Sequence, residues 1–442
     1  MSSGAEYVLK TVEERGVRFI QLWFTDVLGP PKGFSITPAE LENALADGMI
    51  FDGSSIDGFS RIQESDMILM PDATTFQILP WQIENASVAR VICDVLNDDG
   101  TPFEGCPRRV LKKTLDMTKE LGYIFYVAPE IEYFYFKEDL SKPICLDNGS
   151  YFDLTVSDLA TELRKRTVVA LEDMGIPVEH AQHEDAPSQH EIDLRYTDAM
   201  TMSDTVMTTR LIIKSLASQK GVIASFMPKP LEFEQGSGMH SHFSLFEGDV
   251  NCFADPAQEY GLSQLAKNFI AGVLHFSSDI TAVTNQWVNS YKRLVPGYEA
   301  PVNISWARNN RSALVRIPVA KKGNLEATRF EYRAIDSACN PYLVFALILA
   351  AGLKGIERSM QLPEETSVNL YSLDYDVFST EAQNPLPNNL KSAIEQMEKS
   401  EFVHEILGDH VFEWFLKNKK QEWAKYARHV TDFEINRYLS YL

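Results

Sequence analysis

The stretch YIFYVAPEIEYFYF, residues 123–136, decides how this chain folds. Its aromatic and branched apolar residues predict a buried strand. Glu130 and Glu132 are two positions apart, so they share one face of that strand. Two buried carboxylates repel each other and lose hydration unless a cation compensates them. The stretch therefore predicts a sheet that carries an acidic site on one face.

Three further segments place polar side chains where they can share a face or flank one loop. They are Glu184 and Glu191 in QHEDAPSQHEIDL (182–194), His240, His242 and Ser244 in GSGMHSHFSLF (236–246), and Glu331 and Arg333 in TRFEYRAI (328–335). Taken alone, each pair is more simply explained as the solvated face of an edge strand. Four such segments in one chain instead predict a single shared site of carboxylates and an imidazole.

Oxygen-rich ligands favour Mg²⁺ or Mn²⁺ over zinc. The site has more carboxylates than one cation needs, which indicates two or more metal ions, as in phosphoryl transfer. Arginines also gather in the C-terminal half, at positions 293, 308, 311, 316 and 333. A guanidinium binds carboxylate or phosphate in a bidentate manner. The chain has no GxxxxGK[ST] motif and no usable GxGxxG motif, so a nucleotide would be held by metals and arginines.

Composition excludes several other classes of protein. The chain has 442 residues and a formal net charge of −21, which argues against a general nucleic-acid binder and against docking on anionic membranes. Five cysteines without a CxxC pair are typical of reduced thiols. The N-terminus lacks the apolar core of a signal peptide, and the longest apolar run, 342–353, is too short to span a bilayer. We therefore expect a cytoplasmic protein without nucleic-acid or membrane partners.

The order of elements predicts two domains, 1–103 and 104–442, divided at NDDGTPFEGCP (97–107). The first contains predicted strands at 17–25 and 88–95, and a helix that starts at a capping box, Thr37 to Glu40, with proline first. Long helices are predicted in the second domain near 107–121, 155–175, 203–219, 258–281 and 340–358, and the tail from 388 is predicted to be helical, with another capping box at Thr431. This pattern is typical of a small mixed sheet followed by a larger α+β domain.

Six segments together resemble the type I glutamine synthetases over essentially the whole chain. They are MIFDGSSI (49–56), PEIE (129–132), GSGMH (236–240), KRLVPGYEAP (292–301), NRS (310–312) and NPY (340–342). The short catalytic domain resembles the subclass that is not regulated by adenylylation. The resemblance implies an α+β fold, with a β-grasp N-terminal domain and a catalytic domain whose curved antiparallel sheet forms a funnel-shaped partial barrel surrounded by helices.

The resemblance also implies a reaction and a residue for each part of it. ATP would phosphorylate glutamate, and ammonia would displace phosphate from the γ-glutamyl phosphate to give glutamine. The implied metal ligands are Glu132, Glu184 and Glu191 for one cation and Glu130, His240 and Glu331 for a second. The implied substrate and nucleotide residues are Gln235, Gly236, Arg293, Glu299, Arg311 and Arg333 for glutamate and its phosphate, and Glu179, Tyr196, His242, Ser244, Arg311 and Arg316 for ATP.

Assembly and regulation follow from the same resemblance. It implies a homo-dodecamer of two hexameric rings, in which Asp52 of one subunit takes a proton from ammonium in the site of the next. Arg61 matches an arginine linked to glutamine feedback, and a PII-type or other nitrogen-regulatory partner is compatible with the family. Tyr371 resembles a tyrosine that is adenylylated in some members, but we interpret it here as structural. Gln235 replaces the asparagine that is usual in the family, which bears on the fit around glutamate and ammonium.

Three alternatives remain open at this point. A relative that ligates glutamate to an organic amine, such as a polyamine or ethanolamine, would keep most of the same residues, although the Asp52 motif favours ammonium. A guanidino kinase has no reason to carry the DGSS and VPGYEAP segments. A non-catalytic relative would be expected to have lost some of the six metal ligands, all of which are present.

Overall fold

The computed structural model describes most of the chain. The described residues are 3–54, 56, 58, 66–83, 86–139, 141–154, 158–308, 310–319, 324–366 and 384–442. Arg61 and Tyr371 lie outside these residues, so the expectations attached to them stay untested.

The N-terminal part is a mixed sheet covered by two helices. Its strands are β1 (Val17–Thr25), β2 (Pro31–Ile36), β3 (Met49–Asp52), β4 (Asp66–Pro71), β5 (Gln77–Ile83) and β6 (Ala86–Asn97), and its helices are α1 (Ser3–Glu14) and α2 (Pro38–Asp47). The strands follow the order β2-β1-β6-β4-β3 in the sheet, with β5 also paired to β6. Strands β1 and β6 are parallel, and the other pairs are antiparallel. The predicted strand 17–25 and the predicted mixed sheet are confirmed.

Apolar side chains hold this sheet and its helices together. Val8 of α1 and Leu41 of α2 are fully buried, and they belong to the same core cluster as Ile20 and Val91 of the sheet. Helix α2 starts with Pro38, as predicted. The capping box at Thr37 is wrong, because the Thr37 side chain makes no capping hydrogen bond. The Glu40 N–H that the box would use donates instead to the Thr37 carbonyl oxygen at 3.1 Å, and proline already fixes a helical φ at the first position.

The larger sheet of the second domain is the frame of the site. Its strands are β7 (Ile124–Lys137), β8 (Val178–His183), β9 (Gln189–Leu194), β10 (Thr197–Asp198), β11 (Val222–Ser225), β12 (Met239–Glu247), β13 (Val250–Asn251), β14 (Trp306–Ala307), β15 (Val315–Arg316) and β16 (Phe330–Tyr332). Their order is β14-β15-β16-β12-β7-β9-β8, with β10 and β11 also on β7 and β13 on β12. The pairs are antiparallel except β14 with β15, which are parallel over two residues. The expected antiparallel sheet therefore holds with this one correction.

Helices pack around that sheet. They are α3 (Pro107–Glu120), α4 (Leu159–Asp173), α5 (Ala199–Ser218), α6 (Gln264–Thr284), the single turn α7 (Ser290–Arg293), α8 (Pro341–Glu357), α9 (Leu390–Lys399), α10 (Glu401–Tyr426) and α11 (Asp432–Tyr438). The apolar run 342–353 forms the buried part of α8, as predicted. Within the described ranges, no helix is long and apolar enough to cross a membrane.

Capping residues explain where two helices differ from their predicted starts. Helix α6 begins at Gln264 rather than near 258, because the Ser263 side chain accepts from Ala266 N at its first turn. Before it, Tyr260 has a φ of 64° and breaks the helical path. Helix α5 begins at Ala199 rather than 203, since Asp198 caps it. The capping box at Thr431 is confirmed.

A buried arginine forms ion pairs that connect the two domains. Arg108 of α3 forms ion pairs with Asp72 (2.8 Å) and Asp94 (2.6 Å) from the N-terminal part, and with Asp204 of α5 (3.1 Å). Asn340, which caps α8, donates to the carbonyl oxygens of residues 26 and 27 at 3.2 and 3.1 Å. The first domain is thereby fixed against the helices that carry the larger sheet.

Candidate active site

The register of the larger sheet brings the predicted carboxylates together. Strand β7 lies between β9 and β12, and it pairs Glu132 with Glu191 on one side and Glu130 with His240 on the other. The next pair along β12 sets His242 opposite Glu331 of β16. Paired residues in antiparallel strands present their side chains to the same face. The face predicted from alternation is thus built by four strands, including β16.

Glu132, Glu184 and Glu191 form the first carboxylate group, whose oxygens accept hydrogen bonds from amide groups. The amide of Gln182 donates to Glu184 at 3.1 Å and also to Glu191. Glu132 accepts from the Gly238 N–H at 2.8 Å and from Gln189 Nε2 at 3.1 Å. Burial and the charge of Glu184 raise the pKa of Glu132 to about 8.

The pKa values of the other two glutamates in this group are also raised. Burial, followed by repulsion from Asp193 and Glu184, raises the pKa of Glu191 well above its ordinary value. Burial also raises the pKa of Glu184, against its hydrogen bonds. Without a cation, ionising all three carboxyl groups at once is therefore unfavourable.

Glu130, His240 and Glu331 form the second group, whose carboxylates already have hydrogen-bonding partners. His242 Nε2 lies 2.7 Å from Glu130, and His240 Nδ1 lies 3.3 Å from it. Burial opposes ionisation of Glu331, but the Arg333 guanidinium, 2.6 Å away, outweighs it and lowers the pKa to about 2. The pKa of Glu130 is likewise well below its ordinary value, because the two histidines outweigh burial.

The donor set fits divalent cations. Among the described residues, three sets of three have ligand atoms that all lie within 4.8 Å of one another, and two of them belong to this site: Glu130, His240 and Glu331, and Glu132, Glu191 and His240. The Nε2 atom of His240 is buried and has no hydrogen-bonding partner among the described residues. A buried ring nitrogen without a partner, next to several carboxylates, is what a metal ligand looks like before the metal binds.

Arg293 and two glycines pack closely together beside the carboxylates. The guanidinium of Arg293 donates to Ala334 O at 2.7 Å and to Arg333 O at 3.1 Å, which fixes its orientation. A Cβ on Gly238 would lie 2.5 Å from Arg293 Nη2, and one on Gly236 would lie 2.4 Å from Pro228 O. Glycine is needed at both positions because the loop passes this closely to its neighbours.

The predicted glutamate and phosphate residues line the same cavity as the carboxylates. They are Gln235, Gly236, Arg293, Glu299, Arg311, Arg316 and Arg333. Glu299 has a φ of 44°, and the preceding segment turns at Gly297 with a φ of 88°. A left-handed conformation is uncommon for glutamate, and such strained residues cluster at functional sites.

A second cavity adjoins the first and contains the predicted nucleotide residues. Glu179, Tyr196, His242 and Ser244 all line it. The two cavities share Glu130, His180 and Asp193 as a common wall. Tyr126 and Phe246 give the second cavity an aromatic side. Such a wall suits a flat ring, whereas the shared acidic wall would lie toward phosphates and cations.

Two predicted residues, Asp52 and Glu331, do not line either cavity. Asp52 lies at the end of the edge strand β3, exposed, and its Oδ1 accepts from the Ser54 N–H at 2.8 Å. It is not among the residues that line the two cavities of its own chain. Arg61 lies outside the described residues. Glu331 lies 3.9 Å from His240 Nδ1 and is ion-paired with Arg316, and the other predicted site residues that the structure describes line a cavity.

The sequence interpretation missed two buried or half-buried amides that position the carboxylates. Gln182 links Glu184 to Glu191, and Gln189 links Glu132 to the Gly236 carbonyl oxygen, 3.0 Å away. Each glutamine is two positions from a predicted ligand, so the same alternation could have found it. Their neutral side chains gave no signal in the sequence, because carboxylates and imidazoles are the groups that mark a metal site.

A further cluster, Asp147, His183 and His190, lies on the other side of the same strands. His190 Nδ1 lies 2.7 Å from Arg164 Nη1, so this nitrogen must accept and the proton sits on Nε2. A protonated Nε2 cannot bind a metal. Asp147 accepts from His183 at 2.9 Å and from the Ser188 N–H at 2.9 Å, which ties the loop between β8 and β9 in place. The cluster is therefore structural.

Comparisons with known proteins agree over the whole chain. Residues 16–98 match the family "Glutamine synthetase, beta-Grasp domain", and residues 104–438 match "Glutamine synthetase, catalytic domain". The chain is 50% identical to the glutamine synthetase of Mycolicibacterium smegmatis, with 100% of both chains covered. A solved structure titled "GmaS/ADP complex-Conformation 1" is 30% identical, covers 100% of both chains and has a TM-score of 0.89. The glutamine synthetase of Plasmodium falciparum is 25% identical, with 99% of both chains covered and a TM-score of 0.88.

Proposed function

The chain belongs to the glutamine synthetase family, and on that premise we propose which residues carry out each step of its reaction. Full-length relatives at about 50% identity support ATP-dependent synthesis of glutamine as the activity, and no finding favours an organic amine as the acceptor. The observation that carries the proposal is one cavity that is lined by five potential metal ligands and by four arginines. We also keep 1–103 and 104–442 as the proposed domains.

We propose that each carboxylate group holds one divalent cation, Mg²⁺ or Mn²⁺. Glu132, Glu184 and Glu191 would bind the first, and Glu130, His240 and Glu331 the second. The raised pKa values of the first group and the unpartnered Nε2 of His240 support this division. When bound, the cations would supply positive charge against the phosphoryl group as it is transferred.

In the first half-reaction, the γ-carboxylate of glutamate attacks the terminal phosphorus of ATP, which gives γ-glutamyl phosphate and ADP. Arg293 holds the α-carboxylate of glutamate, since its guanidinium is already fixed by backbone carbonyls. Arg311, Arg316 and Arg333 face the phosphate oxygens, where planar donors stabilise spreading negative charge. The residues assigned to the rest of ATP are Glu179, Tyr196, His242 and Ser244.

The Gln235 peptide and Gly236 would seat glutamate beside Arg293. Gln235 is longer than the asparagine that is usual there, but a backbone contact does not depend on the side chain. The Gly236 carbonyl oxygen is already held by Gln189, which also holds Glu132. The glutamate seat and the first cation site are therefore connected through one side chain.

In the second half-reaction, Asp52 of the partner subunit holds ammonium and takes its proton. Ammonia then attacks the acyl carbon, the bond to phosphate breaks, and glutamine and phosphate are released. Ammonium itself is not nucleophilic, so a positioned base is required. Glu299 lies on the segment that covers the acyl phosphate, which water would otherwise hydrolyse.

We propose a homo-dodecamer of two hexameric rings in the cytoplasm. The exposed position of Asp52, outside its own chain's cavities, supports a site shared between subunits. Helix α11 and the end of the chain leave Phe433, Leu439 and Leu442 mostly exposed, as expected of a segment that inserts into a partner ring. The five cysteines are free thiols, which suits a reducing compartment. Arg61 and a PII-type partner are proposed only for regulation.

Deletion of residues 434–442 tests the assembly. Without this apolar end, the two rings lose their contact, and we expect single hexamers or aggregates by mass photometry. Full-length protein serves as the control. Unaltered dodecamers after deletion would contradict the proposed role of the segment.

Asp52→Asn tests the proposed reaction most directly. The amide keeps the turn oxygen that accepts from Ser54 but loses the charge and the basicity. We expect glutamine formation to fall by about 10²–10⁴-fold, the usual worth of a positioned general base. Calorimetric binding of ATP should change little, and the KM for ammonium should rise because a cation has lost its counter-charge.

Asp99→Asn is a matched control, because Asp99 also accepts from a backbone N–H two residues on, at 2.9 Å, in an exposed turn of the same domain. This variant should behave like the wild type. Near-normal glutamine output from Asp52→Asn would reduce Asp52 to a turn residue. An equal loss of ATP binding would mean that the subunit interface was damaged instead.

A further inference from the structure

Lys229 stands between two loops of the active site. It follows β11, and only 7% of the residue is exposed. Its ammonium donates to the carbonyl oxygen of Glu234, which precedes the glutamate seat at Gln235 and Gly236. The same ammonium lies 3.5 Å from the ring centre of Tyr298, beside Glu299. One side chain therefore touches both the substrate loop and the covering segment.

Hydrogen bonds fix the backbone of Lys229, so its side chain can hold the groups that it contacts in a defined position. Lys229 N donates to Asn289 Oδ1 at 2.7 Å, and Asn289 Nδ2 donates back to Lys229 O at 3.1 Å. Asn289 directly precedes the turn α7, which carries Arg293. On the other side, Ser237 N donates to Pro228 O at 2.8 Å. The lysine is thus anchored to the groups that hold glutamate.

The covering segment has strain that its surroundings must hold. Glu299 has a φ of 44°, in the left-handed region, and the turn before it uses Gly297 with a φ of 88°. Strained backbone persists only where neighbouring contacts determine it. A cation over an aromatic ring attracts it more strongly when water is excluded. Burial lowers the pKa of Lys229 to about 8 against the opposing charge of Glu234, so the lysine remains mostly protonated at neutral pH.

We propose that Lys229 is a positioning residue that couples the glutamate-binding loop to the segment bearing Tyr298 and Glu299. The inference rests on the proposed function of that segment as a cover over the acyl phosphate. While the Glu234 carbonyl faces the ammonium, the lysine holds the Tyr298 ring and keeps the cover over the occupied seat. Occupation by glutamate and exclusion of water are then linked through one cation.

Loss of this coupling has a specific chemical consequence. Water adds to the acyl carbon of γ-glutamyl phosphate, the bond to phosphate breaks, and glutamate and phosphate are released without glutamine. ATP is then consumed unproductively. The ratio of phosphate released to glutamine formed measures this leak, and general damage to the fold lowers both products without changing their ratio.

Lys229→Met tests the coupling, since methionine keeps length and apolar contact but removes the cation. We expect the phosphate-to-glutamine ratio, about one in the wild type, to rise about threefold to tenfold, as a modest barrier change would give. Lys229→Arg should restore a ratio near one, because a guanidinium keeps the cation and the donor. Lys214→Met is the matched control. The ammonium of Lys214, which is on α5, lies 5.6 Å from the centre of the Phe226 ring, and Lys214 does not line the cavity.

Two further variants distinguish a failure of the proposed coupling from a failure of the proposed cover. Glu299→Ala tests the cover itself: a ratio that stays at one there means that the segment excludes no water, and the proposed function of the segment fails. A raised ratio in Glu299→Ala with a ratio of one in Lys229→Met overturns the coupling alone. If Lys229→Met does not fold, Tyr298→Leu removes the ring instead, and it must raise the ratio for the coupling to stand.

Discussion

The two carboxylate groups of the cavity lie side by side but have opposite electrostatics. Glu132, Glu184 and Glu191 are held by the amides of Gln182 and Gln189 and bind protons more tightly than ordinary glutamates. In the second group, both oxygens of Glu331 accept from arginines and Glu130 accepts from histidines. The partners are Arg316, Arg333, His240 and His242.

This difference shows that the strand register brings the carboxylates together, whereas the neighbouring side chains determine their charge. The first group contains like-charge repulsion that a divalent cation would relieve. The second is already compensated, so a cation there must share Glu331 with two guanidinium groups. We therefore expect the first group to bind a divalent cation more tightly than the second.

The largest expected effect is on catalysis when a ligand of the first group is lost. Glu191→Ala removes one carboxylate from the tighter site, and we expect activity to fall by about 10³-fold, because bound cations supply several kcal/mol of charge stabilisation. The protein should stay folded, since the lost side chain was a repelling one. Steady-state glutamine formation and Mn²⁺ titration calorimetry measure the two effects.

Glu247→Ala is the control for this variant, as Glu247 is an exposed glutamate at the end of β12. It should bind Mn²⁺ like the wild type. The ligand assignment is wrong if Glu191→Ala keeps more than about a tenth of the activity, a loss of less than ~1.4 kcal/mol.

The second prediction concerns stability of the compensated group without metal. Glu331→Gln leaves the buried guanidinium of Arg333, and the partly buried one of Arg316, without their carboxylate. We expect the free energy of unfolding in EDTA to fall by about 3 kcal/mol, as is typical when one partner of a buried ion pair is removed. Urea unfolding followed by fluorescence measures the change.

Glu247→Gln is again the matched control, and its unfolding midpoint should stay at the wild-type value. An unchanged midpoint for Glu331→Gln would mean that the arginines find other acceptors, and that the second group is not compensated by them.

The smallest expected effect is a gain in stability rather than a loss, and it depends on pH. Folding raises the pKa of Glu132 from an ordinary value of 4.5 to about 8. A carboxyl shifted upward destabilises the folded state as pH rises between these two values. In EDTA, Glu132→Gln should therefore be more stable than the wild type at about pH 8, by about 1 kcal/mol, and similar to it below about pH 5.

Melting curves of both proteins at several pH values, with and without Mn²⁺, measure this difference. The amide oxygen can still accept from the Gly238 N–H, so the comparison isolates the charge. Added Mn²⁺ should stabilise the wild type more than the variant. A variant that is less stable than the wild type at pH 8 without metal would show that Glu132 is not repelled in the folded protein.

Much of the fold could be predicted because local signals were strong. The strand at 17–25 was predicted with its observed bounds, and the side chain of Thr431 caps α11 as the capping box predicted. The start of α6 was missed because Gln258 and Glu259 are good helix formers in isolation, whereas Ser263 supplies the cap that the folded chain uses. Local propensity cannot choose between two nearby starts when a cap decides.

Most of the candidate site could also be predicted, but its electrostatics could not. Each pair, such as Glu130 with Glu132 or His240 with His242, shares a face by the period of a strand. The pairing of Glu132 with Glu191 and of Glu130 with His240 depends on which strands are neighbours and in which register. Gln182 and Gln189 were missed because an amide becomes significant only once it lies beside two carboxylates.

The sequence by itself therefore determined the family, the strands and the chemical types of the site, because periodicity and motif order are local properties of the chain. Only the tertiary structure decided that Glu132 keeps its proton while Glu331 loses it, and that Lys229 reaches both Glu234 and Tyr298. Charge state and coupling depend on burial and on neighbours that are distant along the chain. These are fixed only when the strands and loops come together.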